Sequence, residues 1–179
     1  MKITEILDII KARTSCRKYL DKDVSYEEIK ICLEAAQHAP SACNKQPWQF
    51  IIVKNSELRE KICNTGLLTG VPMPWLKQAP VIVVLCTKRT LVTHKIAPLM
   101  SGVKYDLIDI GIAGEHFVLA AEALGLGTCW IGWFKEKRVK HILSIPNNIK
   151  VLSLISLGHP SIKSKSPKRN SINDFTTWK

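Results

Sequence analysis

Helix-like and strand-like segments alternate along this chain, which predicts an α/β or α+β fold around a central sheet. Three observations carry that reading. Val81 to Cys86 (VIVVLC) is an unbroken apolar run rich in β-branched residues, as in a strand buried on both faces. Asp106 to Gly125 is a long apolar stretch punctuated by acids, with Gly125 and Gly127 as stop signals, and reads as a buried central helix. Thr128 to Phe134 and Val151 to Leu157 read as two further strands, with a basic helix around Lys135 to Leu143 between them.

The remaining elements follow in order. An amphipathic helix precedes Arg13. Ser25 opens a capping box with Glu28, and Ile29, Leu33 and Ala36 then recur at helical spacing, so a helix is expected to end near Ala39–Pro40. Gln49 to Lys54 (QFIIVK) reads as a short strand, and Ser56 as the cap of a helix over Glu57 to Cys63. Gly66 to Pro80 holds two glycines and three prolines and is expected to be an irregular loop. After Gly158 the chain is polar and basic. Phe175 and Trp178 near its end imply that this tail docks somewhere, since a free tail gains nothing from aromatics.

A chain of 179 residues has room for a real core, burying roughly 70% of its unfolded surface at this size. We read residues 1–179 as one domain, with 159–179 a basic tail. Its 46% hydrophobic and 23% charged content is ordinary for a globular protein and speaks against disorder. The N-terminus lacks a signal-type apolar stretch. The longest apolar run, Leu107 to Leu124, is broken by Asp109, Glu115, His116 and Glu122, too many polar groups for a lipid-facing span. The six cysteines form no C-x-x-C pair and no zinc-type cluster, so no metal site is expected. They read as reduced thiols of a cytoplasmic protein. The formal net charge of +11 calls for an anionic partner, either nucleic acid or a small molecule. Basic residues cluster in the tail (Lys163, Lys165, Lys168, Arg169, Lys179) and in KEKRVKH from Lys135 to His141, without the aromatic interleaving of a nucleic-acid surface.

Three segments carry candidate chemistry. Arg13-Thr14-Ser15-Cys16-Arg17 gathers two guanidinium groups and two hydroxyls, enough for a compact phosphate site or for a solvated basic turn. Pro40 to Trp48 (PSACNKQPW) combines backbone-fixing prolines, small residues that admit a planar ligand, and Asn44 and Gln46 as donors and acceptors. These are the demands of a heteroaromatic ring, although a structural loop around a buried tryptophan has the same composition. Gly125 to Phe134 (GLGTCWIGWF) places Gly132 where backbone amides can face a ligand. It is no dinucleotide fingerprint, because G-x-G here follows a helix and opens a strand.

In this order, the R-x-S-x-R start, the P-S-x-x-N-x-Q-P-W loop, the A-P plus apolar strand at Ala79 to Leu85, the G-L-G-T turn and the G-H-P before the basic tail resemble the nitroreductase family of FMN enzymes. The resemblance implies a mixed central sheet flanked by helices in an intertwined homodimer, with one FMN in each of two interfacial clefts. It implies that Arg13, Thr14 and Ser15 meet the phosphate and ribityl end, with Lys168, Arg169 or both closing on the phosphate. Arg17 would lie near the pyrimidine edge. Pro40, Ser41 and Ala42 would line the ring from the other subunit, with Asn44 binding directly or shaping the loop. Backbone amides at Ile131, Gly132 and Trp133 would face N5 and O4. The chemistry agrees: a fixed cation such as Arg17 stabilises the charge of reduced FMN, and the cofactor needs no catalytic acid or base. Cys16 and Cys43 are expected to be buried thiols in the cleft wall, and His116 a core or interface histidine. The chain departs from many members in two places. Gly70 to Trp75 offers no lysine or asparagine to the pyrimidine edge, and the tail reads P-K-R-N where a spaced K-x-R is common.

The expected activity is ping-pong electron transfer from NADH or NADPH to a nitroaromatic, quinone or similar small acceptor, with no nucleic-acid or membrane partner. A specialised flavin reaction of the dehalogenase or flavin-destructase type ranks second, because neither the substrate lid expected of it nor that lid's polar residues can be recognised; the region Lys88 to Tyr105, where the family varies with substrate, is short. A basic nucleic-acid-binding domain is the alternative from a different class, and it would be colourless.

Overall fold

In the computed structural model, residues 3–88, 97–162 and 164–179 are described. The substrate-variable stretch singled out above falls partly on residues 89–96, and one basic residue of the tail is Lys163; both lie outside the described residues. Among the described residues, six α-helices surround one sheet. They are α1 (Ile3–Ala12), α2 (Tyr26–Gln37), α3 (Ser56–Lys61), α4 (Ala97–Ser101), α5 (Tyr105–Ala123) and α6 (Glu136–Ile142). The strands are β1 (Trp48–Val53), β2 (Val81–Lys88), β3 (Gly127–Ile131) and β4 (Ile149–Gly158). They lie in the order β1-β2-β4-β3, every ladder antiparallel. The parallel component expected of a mixed sheet shrinks to a bridge between Ser15 and Thr128.

The centre of the sheet follows from β2, whose residues Val81 to Thr87 are all buried. Their alternation sends Ile82, Val84 and Cys86 into one apolar layer with Ile62, Leu76, Val139 and Leu154. Val81, Val83 and Leu85 enter the other layer, with Phe117, Val118 and Ala121 of α5 and Ile29, Cys32 and Ala36 of α2. Phe50 of β1 stacks on Phe117 at 5.6 Å between ring centroids. Gly114 lets α5 approach closely, since a Cβ there would lie 2.3 Å from Trp130 and 2.7 Å from Leu85.

The capping box of α2 forms as expected, Glu28 N donating to Ser25 Oγ and Ser25 N to the Glu28 carboxylate. The cap of α3 lies one residue before Ser56: Asn55 Oδ1 accepts from Leu58 N at 2.9 Å, because the Asn side chain reaches the same amide and Ser56 joins the helix. The loop from Gly66 to Pro80 contains a 3₁₀ turn, Pro74–Gln78. The strand expected through Phe134 ends at Ile131, where β4 turns away. No helix among the described residues is long and apolar enough to cross a membrane.

Helix α5 is built in two halves. Its C-terminal half buries Phe117, Val118 and Ala121. Its first turns do the reverse, burying Asp106 and Asp109 while Leu107 and Ile108 stay about half exposed. On the same molecule Ile6, Leu7 and Ile10 of α1, and Ile172, Phe175 and Trp178 of the tail, are also exposed.

Candidate functional site

The Arg13–Arg17 segment runs beside the outer edge of β3. Cys16 N donates to Thr128 O at 2.8 Å, next to the Ser15–Thr128 bridge. The Ser15 side chain hydrogen-bonds the Cys129 thiol, and the charges of Arg13 and Arg17 reach it; burial, the larger effect, still raises the Cys129 pKa. Arg13 is three-quarters or more buried and lies 3.9 Å from Glu115 of α5. Arg17 is exposed. The tail returns here, Ser164 Oγ donating to Ser15 O at 3.5 Å, while Lys168 and Arg169 lie exposed beyond it.

The other end of the same edge is closed by a second short pairing. Leu67 bridges Phe134, Leu68 N donates to Trp133 O and Lys135 N to Gly66 O. Trp133 is held open by this contact: its indole Nε1 donates to Thr69 O at 2.9 Å, yet 48% of the residue is exposed. Between the two closures lie Trp130 to Gly132. Thr128 O points outward to Cys16, whereas the carbonyls of Cys129 and Ile131 point to serines of β4. Alternation along the strand therefore turns the Trp130 backbone outward as well, and Gly132, just past the strand, has its carbonyl bonded to Phe134 N. A Cβ on Gly132 would meet nothing within 4 Å, so the backbone there is open to a flat group.

The Pro40–Gln46 loop stands elsewhere on α5. Ala42 N donates to the buried Asp109 carboxylate at 3.1 Å, six residues before Glu115. Six residues are about 9 Å along a helix and about 120° around it. No hydrogen bond or ion pair among the described residues joins this loop to Arg13–Arg17. Cys43, Asn44 and Gln46 have φ of 52°, 51° and 45°. Asn tolerates that left-handed conformation, whereas for Cys and Gln it costs about 1–2 kcal/mol each. The loop's own bonds offset this: Ser41 Oγ accepts from Gln46 N at 2.9 Å, and Asn44 Oδ1 from Gln46 Nε2 at 2.9 Å.

The structure corrects one expectation and sharpens others. Cys16 is buried, but Cys43, expected as a buried thiol, is exposed because its left-handed backbone turns it outward. Thr14 lines a cleft of about 230 Å³ with Glu122, Gly127 and Ser164. Gly127 has a packing role there, since a Cβ would lie 2.7 Å from Cys16. His116 bridges helices, its Nδ1 3.3 Å from Ala35 O. The phenol of Tyr19, not singled out in the sequence, ties the segment to the sheet through Cys16 O and Ser156 Oγ. Asp109 was also missed, read only as an interruption of an apolar run. No group of metal-ligating side chains occurs among the described residues.

Comparison with known proteins finds relatives over most of the chain. A curated protein of Archaeoglobus fulgidus, provisionally named NADH dehydrogenase/NAD(P)H nitroreductase, is 38% identical over 162 residues, covering 87% of this chain and 86% of its own length. An FMN reductase [NAD(P)H] of Bacillus subtilis is 30% identical and covers 98% of this chain and 75% of its own. The crystal structure of a nitroreductase family protein from Clostridium novyi NT superposes with a TM-score of 0.79 at 30% identity, covering 93% of this chain and 90% of that one. The family model described as Nitroreductase family matches residues 10–65 and 68–159. The chain thus belongs to the nitroreductase family.

Proposed function

We propose that this protein is an FMN-dependent oxidoreductase that passes electrons from NADH or NADPH to a nitroaromatic, quinone or similar small acceptor. The observation that carries this reading is the open stretch of β3 edge, with the outward Trp130 backbone, open space at Gly132 and the cations and hydroxyl of Arg13, Ser15 and Arg17 beside it. Backbone donors for a ring edge and guanidinium and hydroxyl donors for a phosphate are the donor set that FMN requires, so the residues fit the group. The names of relatives support it: the Bacillus subtilis FMN reductase, and an FMN-dependent nitroreductase of Clostridium difficile R20291 that superposes with a TM-score of 0.80 at 25% identity over 96% of this chain and 98% of that one.

Bound FMN supplies the two-electron chemistry; the protein holds and tunes it. In this reading Arg13, Thr14 and Ser15 hold the phosphate and ribityl end, Arg13 with part of its charge balanced by Glu115. Lys168, Arg169 or both close on the phosphate, with Ser164 leading the tail there. Arg17, with no ion pair among the described residues, holds the negative charge left on the pyrimidine side after reduction. Amides at Gly132 and Trp133 orient the ring, whereas Ile131, also expected there, turns its backbone to β4 and offers the ring no amide. Pro40, Ser41 and Ala42 serve the cleft of a second subunit, which suits a loop anchored on a different face of α5 from Arg13. Asn44, tied to Gln46, shapes that loop. The exposed apolar faces of α1, α5 and the tail support a homodimer. The cysteine pattern supports a cytoplasmic setting.

Two experiments test the reading. Denatured protein is expected to release about one FMN per chain, and the absorbance of the bound flavin is expected to bleach on anaerobic addition of NADH or NADPH. Protein that carries no flavin and takes up none refutes the proposal. Arg17→Ala is expected to lower the flavin midpoint potential by tens of millivolts, about 30 mV for each 1.4 kcal/mol of stabilisation lost. Arg13→Ala is expected to weaken FMN retention and leave the potential of bound flavin nearly unchanged. Equal loss of FMN from both variants, with unchanged potential, would show that both arginines act on the phosphate.

A further inference from the structure

We propose that Asp109 is the positioning residue that sets the Pro40–Gln46 loop as a wall of the flavin cleft. The inference rests on the reading of that loop given under the proposed function. Asp109 lies on the inward side of α5 beside Ile110 and is only 3% exposed. An acid at such a position is costly to desolvate unless its carboxylate is met by donors. One of those donors is the backbone of the loop: Ala42 N reaches Asp109 Oδ1 at 3.1 Å, across 67 residues of sequence.

The bonds inside the loop divide the work differently. Ser41 Oγ with Gln46 N, Asn44 Oδ1 with Gln46 Nε2, Asn44 N with Ser41 O and Lys45 N with Ala42 O all run within 41–46. They fix the shape of the left-handed turn and leave its position on the protein open. Among the described residues, the Ala42–Asp109 bond is the one hydrogen bond that ties 41–46 to another element. It places the small residues expected to face the ring, and as a charge-assisted bond it is among the stronger kinds. The first turns of α5 thus have their acid inward because it grips the loop, while Leu107 and Ile108 point outward.

The test uses the full chain and reads FMN affinity from quenching of added FMN fluorescence, together with the visible absorbance of the bound flavin at saturation. Asp109→Ala is expected to weaken FMN binding about tenfold or more, the loss of one hydrogen bond to a charged group, and to shift the flavin band. Asp109→Asn keeps an acceptor at Oδ1 and is expected to restore most of the affinity. Ala42→Pro removes the donor without touching the helix. Ser41 is extended (φ −146°, ψ 156°) and Ala42 opens a 3₁₀ turn, a setting that accepts proline. It is expected to reproduce the loss, and the double variant Asp109→Ala/Ala42→Pro to be no worse than the weaker single. Should Asp109→Ala fail to fold, Asp109→Asn on the Ala42→Pro background carries the same cycle and is expected to change nothing further. Wild-type affinity and spectrum in Ala42→Pro, or losses that add in the double variant, would overturn the proposal. A wild-type chain that leaves FMN fluorescence unquenched overturns the flavin reading itself and this inference with it.

Discussion

The two halves of α5 obey opposite rules on one continuous helix. From Ala113 to Ala121 the apolar residues face the sheet, Phe117 is fully buried, and Gly114 lets Trp130 lie against the backbone. From Asp106 to Asp109 the acids face inward while Leu107 and Ile108 face out. The rear half is explained by the core of its own chain. The front half makes sense only if a loop needs its acids and another surface needs its apolar groups. The contrast teaches that an inverted stretch within a well-packed helix marks where folding ends and assembly begins.

The contrast can be broken from either side. Phe117→Ala removes the largest buried side chain of the rear half and is expected to destabilise the fold by about 3–5 kcal/mol in chemical denaturation. Gly114→Ala places a methyl where Trp130 and Leu85 already sit. Overpacking is expected to outweigh the better helix propensity and to cost about 1–2 kcal/mol. A front-half change is expected to act on association. Leu107→Asp should leave the far-ultraviolet circular dichroism unchanged, drop the sedimenting mass from twice 20.1 kDa to one chain, and weaken FMN retention. A Leu107→Asp variant that stays a dimer would place the subunit contact elsewhere. The smallest effect is on thiol labelling at pH 8 in the native state. Exposed Cys43 is expected to react first, whereas Cys32 and Cys86, whose thiols burial pushes up to about 12, stay protonated and react only on unfolding.

What the sequence made legible was local or periodic. The Ser25–Glu28 box announced α2 because both partners of the cap sit within four residues, and the β-branched run at Val81 announced the central strand. The cap at Asn55 was harder to place, because Asn and Ser are adjacent and either can accept from the first turn. In the loop, only Asn44 carried a left-handed signal. Cys43 and Gln46 adopt that conformation because the internal bonds of the loop impose it. The roles of Asp109 and Tyr19 were not legible, since each bonds a backbone or side chain far away in sequence. Arg13, Ser15, Arg17 and Gly132, drawn from separate family motifs, lie beside one edge of β3. That the Pro40 loop leaves α5 on another face is a fact of three dimensions.

The outer edge of β3 has one more consequence. An uncovered strand edge is a template on which a foreign strand can add, and sheet proteins generally blunt such edges. Here the segment at Ser15 covers one end and the segment at Leu67 the other. What is left, Trp130 to Gly132, is too short to recruit a strand, and the tethered Trp133 indole stands over its end. The same trimming that guards the edge against strand addition leaves an opening of the size the proposed planar cofactor needs and too short for a peptide.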